Sequence, residues 1–235
     1  MAGGWRITSG LLLVPVAVVG LAGCGAGTGS GNASGMGSAN ASSGGALTAA
    51  VLRGALLTRV NGVAAAAPAS SGTYSAMTPG AGKQAAGAVQ VTPKVCTQAA
   101  RAGFNPAALA GAPAAAVTFQ VGTNGVSEVL IASSATSASS ALADQIPAQC
   151  SRYEEELGGK TYTYGMTEQE ITGIGKQARV LHVHPVGAKA DDMWSLIYRA
   201  SGFVGTVTVA GPNASEQAVK ELGQQAYAFA AKSLS

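Results

Sequence analysis

Two apolar runs, Ala115–Val121 and Val126–Ala132, flank the segment Gly122-Thr123-Asn124-Gly125. Val117, Phe119 and Val121 alternate onto one side of the first run, and Asn-Gly between two such runs is the strongest short-range hairpin signal. A helix is predicted from about Ser137 to Leu157, because Leu142, Ile146, Cys150, Tyr153 and Leu157 recur at helical spacing. Cys150 would point from that stripe toward the core, and Pro147 would kink the helix or split it in two. Four strand-like runs follow, Lys160–Gly165, Thr167–Thr172, Gln177–Val186 and Met193–Ala200, with a fifth, Phe203–Ala210, after a Ser201-Gly202 turn. Pro212 and Asn213 announce a closing helix, with Glu216 three residues after Asn213 as in a capping box. Its apolar stripe is Val219, Leu222, Ala226, Phe229 and Ala230. Runs of strands separated by helices predict an α+β class, an antiparallel β-sheet with helices packed on it.

Upstream the pattern is thinner. Leu47, Val51, Leu52, Ala55 and Leu56 predict a helix ending before Asn61-Gly62. Residues 63–90 are rich in Ala, Gly, Ser and Pro and predict a long irregular segment, with a strand around Ala88–Thr92. Cys96 is placed on a short helix ending at Gly103.

The amino-terminal end is organised differently. Arg6 precedes a short apolar stretch from Leu11 to Leu21, too short for a comfortable span, since about 20 apolar residues are needed to cross the hydrocarbon core. The stretch ends in Leu21-Ala22-Gly23-Cys24, which resembles the lipobox of bacterial lipoproteins in all four positions. Small side chains at Ala22 and Gly23 let a peptidase approach the backbone, and the Cys24 thiol takes the lipid. The resemblance implies residues 1–23 as a lipoprotein signal peptide, cleavage before Cys24, and a chain anchored on the extracytoplasmic face of the cell membrane. Two acyl chains at about 0.8 kcal/mol per buried methylene hold a protein on a bilayer stably. Residues 24–45 then form the lipidated cysteine and a Gly/Ser-rich flexible tether, and residues 46–235 the extracytoplasmic domain. Asn32 and Asn40 each begin a glycosylation-acceptor pattern that reads as chance.

With Cys24 assigned to lipid, Cys96 and Cys150 remain as a pair in a compartment that permits disulfides. A disulfide is the first reading; two buried thiols or two metal ligands are the alternatives.

Charge narrows the partners. Charged residues make up 11% of the chain and the formal net charge is +3, with no Lys/Arg run, which argues against nucleic acid. Arg53, Arg59, Lys83, Lys94 and Arg101 all precede the first acidic residue, Glu128. That asymmetry reads first as composition and second as attraction to anionic headgroups, at about 1 kcal/mol per basic group near such a surface.

Few residues carry chemistry. His182 and His184 are the only histidines, and in a strand they project from one face. They could bind a metal with Asp191, Asp192 or Glu170 as third ligand, but no spacing fixes that ligand. The favoured reading is a solvated strand face with Leu181 and Val183 on the other side and no metal. Asp191-Asp192 reads as a turn, and Glu154-Glu155-Glu156 as a solvated helix end. Gly175-Lys176 lacks the upstream glycine and following Ser/Thr of a phosphate loop, and no Gly-x-Ser-x-Gly elbow is present.

The run from Val129 through Ser133-Ser134-Ala135-Thr136 up to Cys150, together with Cys96 and the strand order, is similar to the PknH-like extracellular sensor domain of actinobacterial envelope lipoproteins. Members often carry two disulfides where this chain can make one, and an aromatic before the helix cysteine where this chain has Pro147-Ala148-Gln149. The resemblance implies a non-catalytic sensor or ligand-binding module, with no cofactor and an envelope small molecule, lipid or protein as partner. The alternatives are an envelope enzyme whose dispersed polar residues converge only in the fold, or a structural accessory protein. No ligand-binding residue is legible in the sequence.

Overall fold

The structure, a computed structural model, describes residues 47–77, 90–97, 106–143, 145–157, 159–187 and 191–235. Cys24, the segment 1–23 and the tether lie outside the described residues. Among those described, no helix is long and apolar enough to cross a membrane.

Eleven strands are described: β1 (Arg59–Val60), β2 (Val63–Ala64), β3 (Ser70–Thr73), β4 (Gln90–Thr92), β5 (Pro113–Val121), β6 (Asn124–Ala132), β7 (Arg152–Leu157), β8 (Lys160–Ile171), β9 (Gln177–Pro185), β10 (Asp192–Arg199) and β11 (Phe203–Gly211). The helices are α1 (Ala49–Gly54), α2 (Tyr74–Met77), α3 (Ala135–Ala143) and α4 (Glu216–Ser233). β1 and β2 make a small ribbon, and the other nine strands form one sheet in the order β3-β5-β6-β11-β10-β9-β8-β7-β4. Every neighbour in it is antiparallel, in agreement with the α+β expectation.

Both faces of the central strands are buried. On one face Val117, Phe119, Leu130, Val180, Leu196 and Val207 pack under α1 and α4. On the opposite face α3 covers Ile131, Ile197 and Val204. Beside it a third cluster gathers Val91, Tyr153, Met166, Leu181 and Val183 around Cys96 and Cys150. Those two cysteines form a disulfide, with Cα atoms 5.4 Å apart. It joins a one-turn 3-10 helix, Lys94–Cys96, to another, Ala148–Ser151. Closing a loop of 54 residues constrains the unfolded chain by about 4 kcal/mol on the entropy model.

Several expectations are corrected. The hairpin forms, but its turn is Gly122-Thr123, with Val121 paired to Asn124. Gly122 takes φ +60° at the first central position, the place where a type II′ turn wants glycine. Asn124 is left free to accept the Asn213 N–H at 3.1 Å. The helix expected from Ser137 to Leu157 stops at Ala143. Beyond Pro147 the chain makes the 3-10 turn and then β7, whose Glu154, Glu155 and Glu156 are strand residues paired with β4, not a helix end. Lys160–Gly165 and Thr167–Thr172 are one continuous strand, β8. Upstream, α1 ends at Gly54, and Asn61-Gly62 is the turn of the β1–β2 ribbon, with φ +49° and +79°. Residues 63–77, expected to be irregular, hold β2, β3 and α2, whereas the strand expected near Ala88–Thr92 is present as β4. Cys96 ends a 3-10 helix, and the rest of the helix expected to Gly103 lies outside the described residues. The closing helix is capped by Ser215, whose hydroxyl accepts the Ala218 N–H at 3.2 Å. Phe229, placed in its stripe, is 38% exposed, and Gly223 lies buried in that stripe instead.

Candidate functional site

The two helices on the α1/α4 face do not cover it all. α1 lies over β3, β5 and β6, and α4 over β9, β10 and β11. Past them the same face continues across β8, β7 and β4. Strand alternation and the registers put Thr161, Thr163, Thr167 and Gln169 of β8 there, beside Arg152, Glu154 and Glu156 of β7 and Gln90 and Thr92 of β4. All are exposed except Thr163, which is half-buried. This expanse is polar and exposed, and it carries more carboxylates than cations.

His182 and His184 stand at its inner border, where α4 begins. The solvated histidine face expected from sequence is corrected here: both side chains are half-buried, because their face is the one that carries Val180 and α4. The register pairs His182 with Trp194 on β10, and the two rings stack with centroids 3.8 Å apart at 7°. Asp192, two residues before Trp194, brings Oδ2 to 3.5 Å from His182 Nε2. Burial lowers the His182 pKa below its ordinary 6.5, and the Asp192 carboxylate opposes that effect. His184 is tilted against His182 at 4.8 Å and lies over Gly165, where an added Cβ would overlap the His184 ring at Nε2. Glycine at 165 is therefore what lets the imidazole lie flat on the sheet.

Beside the stack is a hollow of ≈170 Å³ lined by Thr167, Glu168, Gln169, Val180, His182, Trp194 and Glu216. Small-molecule pockets typically enclose about 300–1,000 Å³, so this hollow takes one substituent of something larger. A second hollow of ≈300 Å³ lies on the opposite face, between Met166, Glu168 and Glu170 and the Gln145–Ala148 segment. There Glu168 is engaged already: it accepts from Arg179 and from the Ile146 N–H at 3.0 Å.

The candidate residues picked out from the sequence thus separate. His182, His184 and Asp192 come together; Asp191 precedes β10 in irregular backbone, and Glu170 lies on the other face with Glu168. No group of three His, Cys, Asp or Glu placed to hold a metal occurs among the described residues. Cys96 and Cys150 serve the core. Sequence reasoning missed Trp194, Thr167, Gln169 and Glu216, which only strand register and the docking of α4 bring to the histidines.

No family model matches the chain, and no curated protein matches it. Solved structures do. The extracellular domain of PknH from Mycobacterium tuberculosis superposes with a TM-score of 0.57 over 81% of this chain and 98% of that one, at 17% identity. In fold, the chain resembles that domain. A putative uncharacterized protein, the Rv0999 ortholog from Mycobacterium smegmatis, gives a TM-score of 0.40 at 14% identity, over 72% of this chain and 86% of that one. At these identities the likeness to the PknH domain is one of fold, and a fold does not carry a ligand with it.

Proposed function

We propose that the chain is a non-catalytic extracytoplasmic module, lipid-anchored through Cys24, that binds a protein partner across the open polar face of β4, β7 and β8. The observation that carries this reading is the make-up of that face. Its side chains are polar and exposed across three neighbouring strands, where a lipid or small-molecule site would be concave and apolar, and its hollow of ≈170 Å³ admits only one side chain. The face holds Glu154, Glu156 and Asp192 against Arg152, so the complementary surface is one richer in Lys and Arg than in acids; such complementarity sets on-rate and specificity more than raw affinity. Binding rather than catalysis is supported by the histidines' surroundings. Neither is hydrogen-bonded to a serine, threonine or cysteine among the described residues, so no nucleophile and base stand paired there. The likeness in fold to the extracellular domain of PknH supports the same reading.

The test is affinity capture from detergent-solubilised membranes with the wild-type chain and with Thr167→Arg. The reading expects one protein retained by the wild type and lost from the variant. Turnover of an envelope substrate, abolished by Asp192→Asn or His182→Ala, would replace it with the enzyme reading.

A further inference from the structure

Glu128, the first acidic residue of the chain, is 1% exposed in the middle of the α1/α4 core. Val126 and Leu130 flank it on β6, and Val117 and Val207 sit opposite it on β5 and β11. One oxygen, Oε2, accepts the backbone N–H of Leu57 at 2.8 Å, across 71 residues of sequence. The other, Oε1, has no hydrogen-bond partner among the described residues, and neither does the hydroxyl of Tyr198, a titratable group on which the charge of Glu128 acts.

Leu57 belongs to an arm, residues 47–66, that comprises α1 and the β1–β2 ribbon. The arm is seated by Leu52, Ala55, Leu56 and Val60. Its hydrogen bonds to the sheet among the described residues are two: Leu57 N–H to Glu128, and Ala66 N–H to the Thr118 carbonyl at 2.9 Å. A carboxylate buried with one donor and one orphaned oxygen costs far more when charged than when protonated.

We propose that Glu128 is a proton-dependent latch, which seats the 47–66 arm on the sheet when protonated and loosens it when ionised. The arm is the part of the domain next to the tether, so the device couples proton activity to the joint between domain and anchor. Burial raises the Glu128 pKa from 4.5 to about 7, against the lowering effect of the Leu57 bond, which places the change in the neutral range. The charged and titratable groups around it are few. β10 brings Tyr198, and α4 brings Tyr227 against the Tyr198 ring. The arm's Arg59 is turned to the Gly62 carbonyl, and its Arg53 is exposed at the last turn of α1. Among the described residues no cation is paired with the carboxylate.

Hydrogen–deuterium exchange of the full chain, read peptide by peptide between pH 6 and 8 and corrected for intrinsic exchange, tests the latch. Protection of residues 52–57 should fall roughly tenfold over that range, the linkage expected of a proton taken up on closing by a group at 4.5 when open and about 7 when closed, while α4 holds steady. Glu128→Gln, which keeps the acceptor without the charge, should hold the arm's protection constant. Equal change in the arm and α4, no change in the wild type, or the same change in Glu128→Gln would each overturn the proposal. Should the variant fail to fold, the contrast between arm and α4 in the wild type decides alone.

Discussion

His182 lies parallel on Trp194, ring centroids 3.8 Å apart and planes 7° apart, with Asp192 Oδ2 3.5 Å from the imidazole Nε2. The chain has two tryptophans, Trp5 and Trp194, so in a Trp5→Phe background the emission reports this stack alone. The His182 pKa is held below 6.5 by burial. Emission should therefore be quenched on the acid side, as imidazolium forms against the indole, with a midpoint below 6.5. His182→Gln should abolish the transition. For stability the sign is the depressed one: the contribution of neutral His182 is present above its unfolded pKa and is lost as pH falls through the folded value. A titration midpoint above 6.5 would show that Asp192 outweighs burial.

Glu128 works in the opposite direction. Its folded pKa is raised, so its contribution is complete below 4.5 and lost as pH rises through about 7. The shift of about 2.5 units, at about 1.36 kcal/mol each, bounds the loss at roughly 3 kcal/mol. Chemical denaturation at pH 5 and pH 8 should show wild type losing stability and Glu128→Gln losing less.

Gly205 is fixed by a neighbour. A Cβ there would overlap Tyr198 at Cζ, and the Tyr198 ring is fully buried between Phe203 and Tyr227. Gly205→Ala should cost about 1–3 kcal/mol as overpacking, read as a lower denaturation midpoint. Tyr198→Leu in the same chain should recover part of it, because the clash is with the ring.

The hairpins and the sheet were legible because their period is two and their turns contain glycine. What escaped has identifiable causes. Asn124-Gly125 outweighed Gly122-Thr123 as a turn, although glycine first and threonine second suits type II′ equally. The helical spacing of Ile146, Cys150 and Tyr153 was coincidental: the residue before Pro147 is biased to extended backbone, and Gly158-Gly159 is itself a hairpin sequence. Asn61-Gly62 suits a helix stop and a ribbon turn equally in sequence, and here it is the turn of the β1–β2 ribbon. For the candidate site, the histidine pair was visible and its burial was not, since His182 meets Trp194 only through the β9–β10 register. A lone glutamate inside the apolar run Val126–Ala132 was the available signal for Glu128.

The anchor has its own test. Cys24→Ser should leave the protein unprocessed or soluble, read by detergent partitioning and metabolic acyl labelling. Unchanged labelling in the variant would rule out lipid attachment at this cysteine.

The binding reading stands or falls on where the partner touches. A photo-reactive amino acid placed at Thr167, on the open face, is compared in living cells with the same group at Gln225, exposed on α4. Binding across the open face predicts a single protein adduct from position 167, absent from position 225 and lost when Glu154 and Glu156 are both changed to lysine. Adducts of equal yield at both positions, or from position 225 alone, would contradict it.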